Sequence, residues 1–159
     1  MIAVLQRAFS ATVYANGEHS GSIGQGLYIL LGVEQGDTEN DALLLAEKIS
    51  KLRRFSDENG KMNLSVKDID GELLIVSNFT LSANYAHGNR PDYIGAAAPA
   101  EAQRLYDCFV ALCRERVRRC ATGSFGADMR TELVTDGPVT IVMNSAVLNK
   151  KEGKDKTVL

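Results

Sequence analysis

What most constrains this chain is how its strand-like runs are grouped. "IAVLQRA", "ATVYANG", "EHSGSIG" and "GLYILLGVE" follow one another through residues 2–34 with no helical segment between them. Asn16-Gly17 is a hairpin signal and Gly24-Gln25-Gly26 marks a second turn. Further strand patterns come later, in "GELLIVSNFTL", "RTELVT" and "VTIVMNS". Strands in runs, with two helices inserted, predict an α+β architecture with an antiparallel or mixed sheet. A doubly wound parallel sheet would need βαβ alternation. The 159 residues suit one domain, expected over 1–146, with a lysine-rich, flexible tail over 147–159.

The first helix is predicted in "GDTENDALLLAEKISKL". Thr38 is placed to cap it, with Asp41 three residues on, and Ala42, Leu45, Ala46, Ile49 and Leu52 recur at helical spacing. The second lies in "PAEAQRLYDCFVALCRER", with Pro99 in its first turn and Ala102, Leu105, Tyr106, Phe109, Leu112 and Cys113 on its buried face. Between them, "SANYAHGNRPDYIGAAAP" has turn chemistry throughout and reads as a long loop, of the kind that tends to carry function.

Several classes are set aside. No apolar run is long enough to span a bilayer. "MIAVLQR" opens directly into a strand pattern with no secretory leader. Three cysteines, Cys108, Cys113 and Cys120, fit neither a disulfide framework nor zinc spacing. The expectation is a cytoplasmic protein with free thiols. A net charge of −2 argues against gripping a long nucleic acid. Arg53-Arg54, the set Arg114, Arg116, Arg118 and Arg119, and the tail lysines are nonetheless concentrated. They are read as solvated surface or a limited phosphate-contacting rim.

Side-chain chemistry of the usual kind is missing from the pattern. His19 flanks a turn, His87 sits in the long loop, and neither adjoins a nucleophile motif. No metal-ligand spacing is found, so no metal and no cofactor are expected. "GSIGQG" lacks the lysine and helix of a phosphate loop. Two stretches stand out. In "SNFTL", hydroxyl and amide side chains end the most apolar strand. They serve as cross-strand pairs and caps, or line a pocket with backbone N–H groups free for an oxyanion. "TDGPVT" sets a proline between two β-branched runs, which as a lone feature is a turn.

Taken in order, "IAVLQR", "GSIGQGLYILLGVEQGDT", "KMNLS", "SNFTL", "NRPDY", "TGSFGADM" and "DGPVT" resemble the D-aminoacyl-tRNA deacylase family of bacteria and eukaryotes, from Met1 to about Ser145. The family pattern reads Ser-Gln-Phe-Thr where this chain has Ser77-Asn78-Phe79-Thr80, so the amide at 78 is one methylene shorter. Asp136 stands where Asn is frequent. The resemblance implies a barrel-like sheet with two main helices, and a homodimer with active sites at the subunit interface. It implies hydrolysis of the ester joining a D-amino acid to the 3′-terminal adenosine of tRNA, with no cofactor and no membrane.

It also implies roles. Gly137-Pro138, joined cis, would enter the partner's pocket and reject L-amino acids by clash. Glycine, being achiral, would pass, so glycyl-tRNA is a second expected substrate. Ser77, Asn78, Phe79 and Thr80 would form the catalytic stretch, with backbone N–H groups near Phe79 and Thr80 facing the oxyanion. The ribose 2′-hydroxyl would assist attack by water, and Thr80 as nucleophile is the lesser option. Arg7 and Met129 would support the inserted turn, and Phe125 and Ala127 would shape the pocket wall. Two rivals stand beside this: a non-catalytic dimeric nucleic-acid-binding protein, and a glycine-tolerant paralogue class. The intact Phe79 and "GPVT" run favour the first reading over the paralogue.

Overall fold

The computed structural model describes residues 1–149. Strand β1 (Ile2–Ala15) buries Ala3, Leu5, Ala8, Ala11 and Val13. It turns back at Asn16 and Gly17, both at positive φ (50° and 83°), into β2 (Glu18–Ile23), so the expected hairpin forms, with Ala15 opposite Glu18. Strand β3 (Gly26–Gly32) lies antiparallel to the other end of β1. After helix α1 (Glu39–Lys51) comes a small hairpin, β4 (Phe55–Ser56) with β5 (Met62–Leu64). Strand β6 (Glu72–Ser77) joins the main sheet parallel to β3. Helix α2 (Pro99–Arg114) leads to β7 (Arg119–Thr122), parallel to β6, and β8 (Met129–Asn144) pairs along the whole of β1.

The sheet runs β2-β1-β3-β6-β7, with β8 on the free side of β1. Its two edges approach each other, because the Ser20 hydroxyl donates to the Thr122 carbonyl at 3.0 Å. The result is the α+β, barrel-like sheet with two main helices that was expected. Strand β6 shows why its sequence is almost continuously apolar. Leu73 and Ile75 face the core shared with α1 and α2, while Leu74 and Val76 face a second cluster with Ala11, Val13, Ile23 and Tyr28. The close packing of β3 on β6 requires Gly26, since a Cβ there would lie 1.8 Å from the Glu72 carbonyl oxygen.

Both helices form where the spacing places them. Thr38 caps α1, and the Asp41 carboxylate accepts from its N–H (2.9 Å) and its hydroxyl (3.0 Å). On α2 the buried set includes Val110, while Leu112 is only half-buried.

Four expectations need correction or completion. The strand expected through Leu81 ends at Ser77, and Phe79–Ser82 form a 3-10 turn. "RTELVT" and "VTIVMNS" are not two strands but one, β8, with a break in register. Strand β7 was not foreseen: it is short and reads as part of a basic stretch, and only its place beside β6 makes it a strand. The long loop is not open, because Asn84 and Asp92 exchange backbone hydrogen bonds (2.8 and 3.0 Å) and Gln35 donates to Gly95 (2.9 Å). The expected tail over 147–159 falls mostly outside the described residues. Its first three residues belong to a helical turn over 145–149, and Asn149 donates to Asp41 at 2.8 Å.

Candidate active site

The residues singled out in the sequence fall into two places. The first surrounds a cavity of about 80 Å³ lined by Ser77, Asn78 and Phe79 from the end of β6 and by Phe125 and Gly126 from the segment after β7, with Ala102 and Tyr106 of α2. Chain direction changes at Asn78, whose N–H donates to the Leu31 carbonyl (2.8 Å) and so completes the ladder to β3. Its side chain then turns inward on the main chain. Asn78 Oδ1 accepts from the Thr80 N–H (3.2 Å) and from the Thr80 hydroxyl. An N–H can only donate, so the facing atom is the oxygen. This short Asn-to-Thr closure is what ends the strand.

One consequence concerns the oxyanion donors. Of the two backbone N–H groups expected there, that of Thr80 is occupied by Asn78, and that of Phe79 is unpartnered among the described residues. The Thr80 proton points at an amide oxygen, which is not a base. That arrangement gives no activation of Thr80 as a nucleophile.

Aromatic contacts fix the rest of this place. Phe79 is 59% exposed, with its ring edge-on to Tyr93 at 5.1 Å. Phe125 tilts against Tyr106 at 5.9 Å. The Tyr106 hydroxyl donates to the Ile75 carbonyl (2.8 Å), and burial pushes its pKa well above the usual phenol value, so it stays a neutral donor. Ala127 follows the positive-φ Gly126, and its N–H closes the turn onto the Ser124 carbonyl (3.2 Å). Met129 packs beneath: a Cβ on Gly123 would sit 2.5 Å from its sulfur. In its own chain, then, Met129 supports the 123–127 segment and starts β8, whereas Gly137 lies midway along that strand.

The second place is the register break in β8. Gln6 pairs with Thr140 and Ala8 with Thr135, so residues 136–139 stand opposite Arg7 alone. The Gly137-Pro138 bond is cis, and both residues are exposed. Gly137 has φ +143°, and a Cβ would lie 2.4 Å from the Val139 nitrogen, so only glycine fits. Arg7, whose side chain is 12% exposed, holds the base of this bulge. Its Nε donates to the Asp136 carbonyl (3.1 Å), its Nη2 to Asp136 Oδ1 (3.2 Å) and its Nη1 to the Arg54 carbonyl (2.8 Å). Within one chain the two places are apart. Strands β1 and β3 separate β8 from β6, and Arg7 pairs with Leu27 while Ser77 pairs with Leu31, about 13 Å further along β3.

Neither histidine enters the site: His19 meets the Ser22 hydroxyl (2.7 Å), and His87 is exposed. Among the described residues no group of three or more His, Cys, Asp and Glu could hold a metal, and no helix is long and apolar enough to cross a membrane. The cysteines are free, and burial pushes the Cys120 thiol up to about 11. Sequence reasoning missed three contributors. The Asn78-to-Thr80 closure had a signal, an Asn two residues before a donor. Asp136 had none, because its partner is 129 residues away. Tyr106 was placed in the core but not at the site.

Comparison with known proteins completes the picture. A family model described as D-Tyr-tRNA(Tyr) deacylase matches residues 4–144. The protein called D-aminoacyl-tRNA deacylase in Dehalococcoides mccartyi is 54% identical over 145 residues, covering 91% of this chain and 95% of its own. That of Yersinia enterocolitica is 56% identical over 140 residues, covering 88% and 97%. Among solved structures, the c-Myc DNA Unwinding Element Binding Protein superposes with a TM-score of 0.85 at 39% identity, covering 91% of this chain and 98% of that one. A probable eukaryotic D-amino acid tRNA deacylase superposes with a TM-score of 0.76 at 15% identity, a likeness of fold. With the match spanning nearly every strand and both places described above, this chain belongs to the D-Tyr-tRNA(Tyr) deacylase family, enzymes that hydrolyse an ester bond.

Proposed function

We propose that the protein acts as a homodimer that removes D-amino acids from tRNA and rejects L-aminoacyl-tRNA with a main-chain hook lent by the partner subunit. The observation that carries the activity is the family match over residues 4–144. The dimer reading has its own support. In a single chain Gly137 and Pro138 are exposed to solvent, and the cavity beside Phe79, about 80 Å³, is small for an aminoacyl nucleoside. Phe9, Val134 and Val142 on β1 and β8 are large, apolar and more than half exposed, a surface suited to a second copy.

In this scheme the partner's Gly137-Pro138 carbonyls line the amino-acid site. A D side chain points away from the hook and an L side chain collides with it, so selection works by exclusion. Glycine has no side chain to exclude, which makes glycyl-tRNA a second substrate. Water attacks the ester carbonyl carbon and the bond to the ribose 3′ oxygen breaks. That oxygen takes a proton, and the amino acid leaves as its carboxylate. The ribose 2′-hydroxyl assists the proton transfer. The Phe79 N–H faces the developing oxyanion, a preorganised donor of the kind that contributes most when it strengthens only in the transition state. Site residues from both subunits take part: Ser77, Asn78, Phe79 and Thr80 with Phe125, Ala127 and Met129 from one, and Gly137 and Pro138, held by Arg7, from the other. The protein works in the cytoplasm, where its tRNA substrate is found.

The name of the 39% identical solved relative supports a second reading, nucleic-acid binding without catalysis. One experiment separates the two. Hydrolysis of D-tyrosyl-, L-tyrosyl- and glycyl-tRNA is followed with the purified protein. Release from the D and glycyl esters with the L ester intact is expected. No release from any ester, together with salt-sensitive binding to duplex DNA, would establish the second reading instead.

A further inference from the structure

The four arginines around the end of α2 are not equivalent. Arg116 donates to the Leu112 carbonyl (2.7 Å) and is flanked by Glu47 and Glu115, both at 3.5 Å. Arg118 lies by Asp70 (3.4 Å) and Glu72 (3.5 Å), and Arg119 by Glu72 (3.8 Å). Their charges are already answered. Arg114 alone of the four has no hydrogen-bond or ion-pair partner among the described residues, and it is exposed. It lines a polar cleft of about 380 Å³ together with Gln103 and Asp107 from the same face of α2 and Ser124 from the segment after β7. None of these three side chains is hydrogen-bonded within the described residues. The cleft shares Tyr106 and Phe125 with the small cavity beside Ser77 and Phe79, so the two are neighbours across one aromatic wall.

We propose that this cleft is a subsite for the nucleotide immediately upstream of the 3′-terminal adenosine, with Arg114 receiving its phosphate. The proposal rests on the deacylase reading and names which further part of the substrate is held. A guanidinium with no protein carboxylate against it suits a phosphodiester, to which it donates two parallel hydrogen bonds. Gln103 offers both donor and acceptor to a base edge. The Asp107 carboxylate accepts from an exocyclic amine such as that of cytosine, and its charge disfavours a second phosphate in the same cleft. Phe125, on the shared wall, presents a ring between the two nucleotides, and every base has a face to stack on it.

Substrates of graded length test this. D-tyrosine is esterified to adenosine alone, to the trinucleotide CCA and to full tRNA, and KM and kcat are measured for the wild type, Arg114→Gln and Arg114→Lys. Arg114→Gln is expected to raise KM about tenfold on the CCA and tRNA esters, with kcat within about twofold. The adenosine ester ends short of the cleft and serves as the control, with equal KM for the two proteins. The dependence of log KM on log salt flattens by about 0.7 on the CCA ester, the share of one single-strand phosphate. Arg114→Lys, which keeps the charge, restores most of the loss. Equal KM for wild type and Arg114→Gln on all three esters overturns the proposal, as does a loss shared by the adenosine ester. Direct binding of uncharged CCA trinucleotide, about tenfold weaker to Arg114→Gln, decides the subsite even if no ester is hydrolysed. Failure of the deacylase reading is thereby kept distinct from failure of this one.

Discussion

The two candidate places are built by opposite means. The turn after Ser77 is held locally: Asn78 reaches two residues ahead and ties down Thr80. The bulge at Gly137-Pro138 is held from a distance, by an arginine 129 residues earlier whose guanidinium spans Asp136 and the Arg54 carbonyl. A local closure positions a single N–H cheaply, and its loss disturbs one turn. A long-range clamp orients a whole exposed bulge against the sheet, and its loss frees residues 136–139 while β8 stays paired with β1 on either side. On the proposed reading the bulge rejects ligands by collision and so has to be stiff, which favours the second arrangement. An element that offers one donor does not.

The comparison can be broken most severely at Arg7. Arg7→Ala leaves Asp136 partly buried without its cation and the bulge without its tie, and should lower unfolding free energy by about 3 kcal/mol. Urea titration reads that loss, and the ratio of D- to L-tyrosyl-tRNA hydrolysis should fall at least tenfold in the same variant. Unchanged discrimination would mean that the clamp does not stiffen the hook. Gly137→Ala comes next. A Cβ at φ +143°, with the Val139 nitrogen 2.4 Å away, should cost about 2 kcal/mol and slow D-tyrosyl-tRNA hydrolysis about tenfold or more.

Asn78→Ala removes only the local closure. The expected cost is about 1 kcal/mol in thermal unfolding, with kcat reduced about tenfold, KM little changed, and the D-to-L ratio intact. Loss of discrimination in Asn78→Ala would erase the distinction between the two places. The smallest effect is expected from Thr80→Val. It deletes an exposed hydroxyl but keeps the N–H that Asn78 accepts, so stability should move by less than about 0.5 kcal/mol and turnover by less than about twofold. Abolished turnover with substrate binding retained would restore Thr80 as a nucleophile and sink the water-and-ribose scheme.

By itself the sequence determined the local elements. The Asn16-Gly17 hairpin, the cap at Thr38, and the buried faces of α1 and α2 follow from turn chemistry and helical spacing within a few residues. The apolar run at residues 73–76 read as a strand, and its burial on both faces came from the packing of two clusters against it. The ordered motifs also carry the family resemblance by themselves. Only the tertiary structure decided the rest. Strand β7 exists because β6 offers it an edge, not because its residues favour a strand. The course of residues 130–144 as one strand with a break depends on the register against β1, which local propensity does not encode. Nor does any short-range rule connect Arg7 to Asp136, or leave Arg114 unanswered among the described residues while its three neighbours are paired. Spacing along a chain carries only interactions that reach a turn or two. Partners more than a hundred residues apart meet solely because the sheet brings them together.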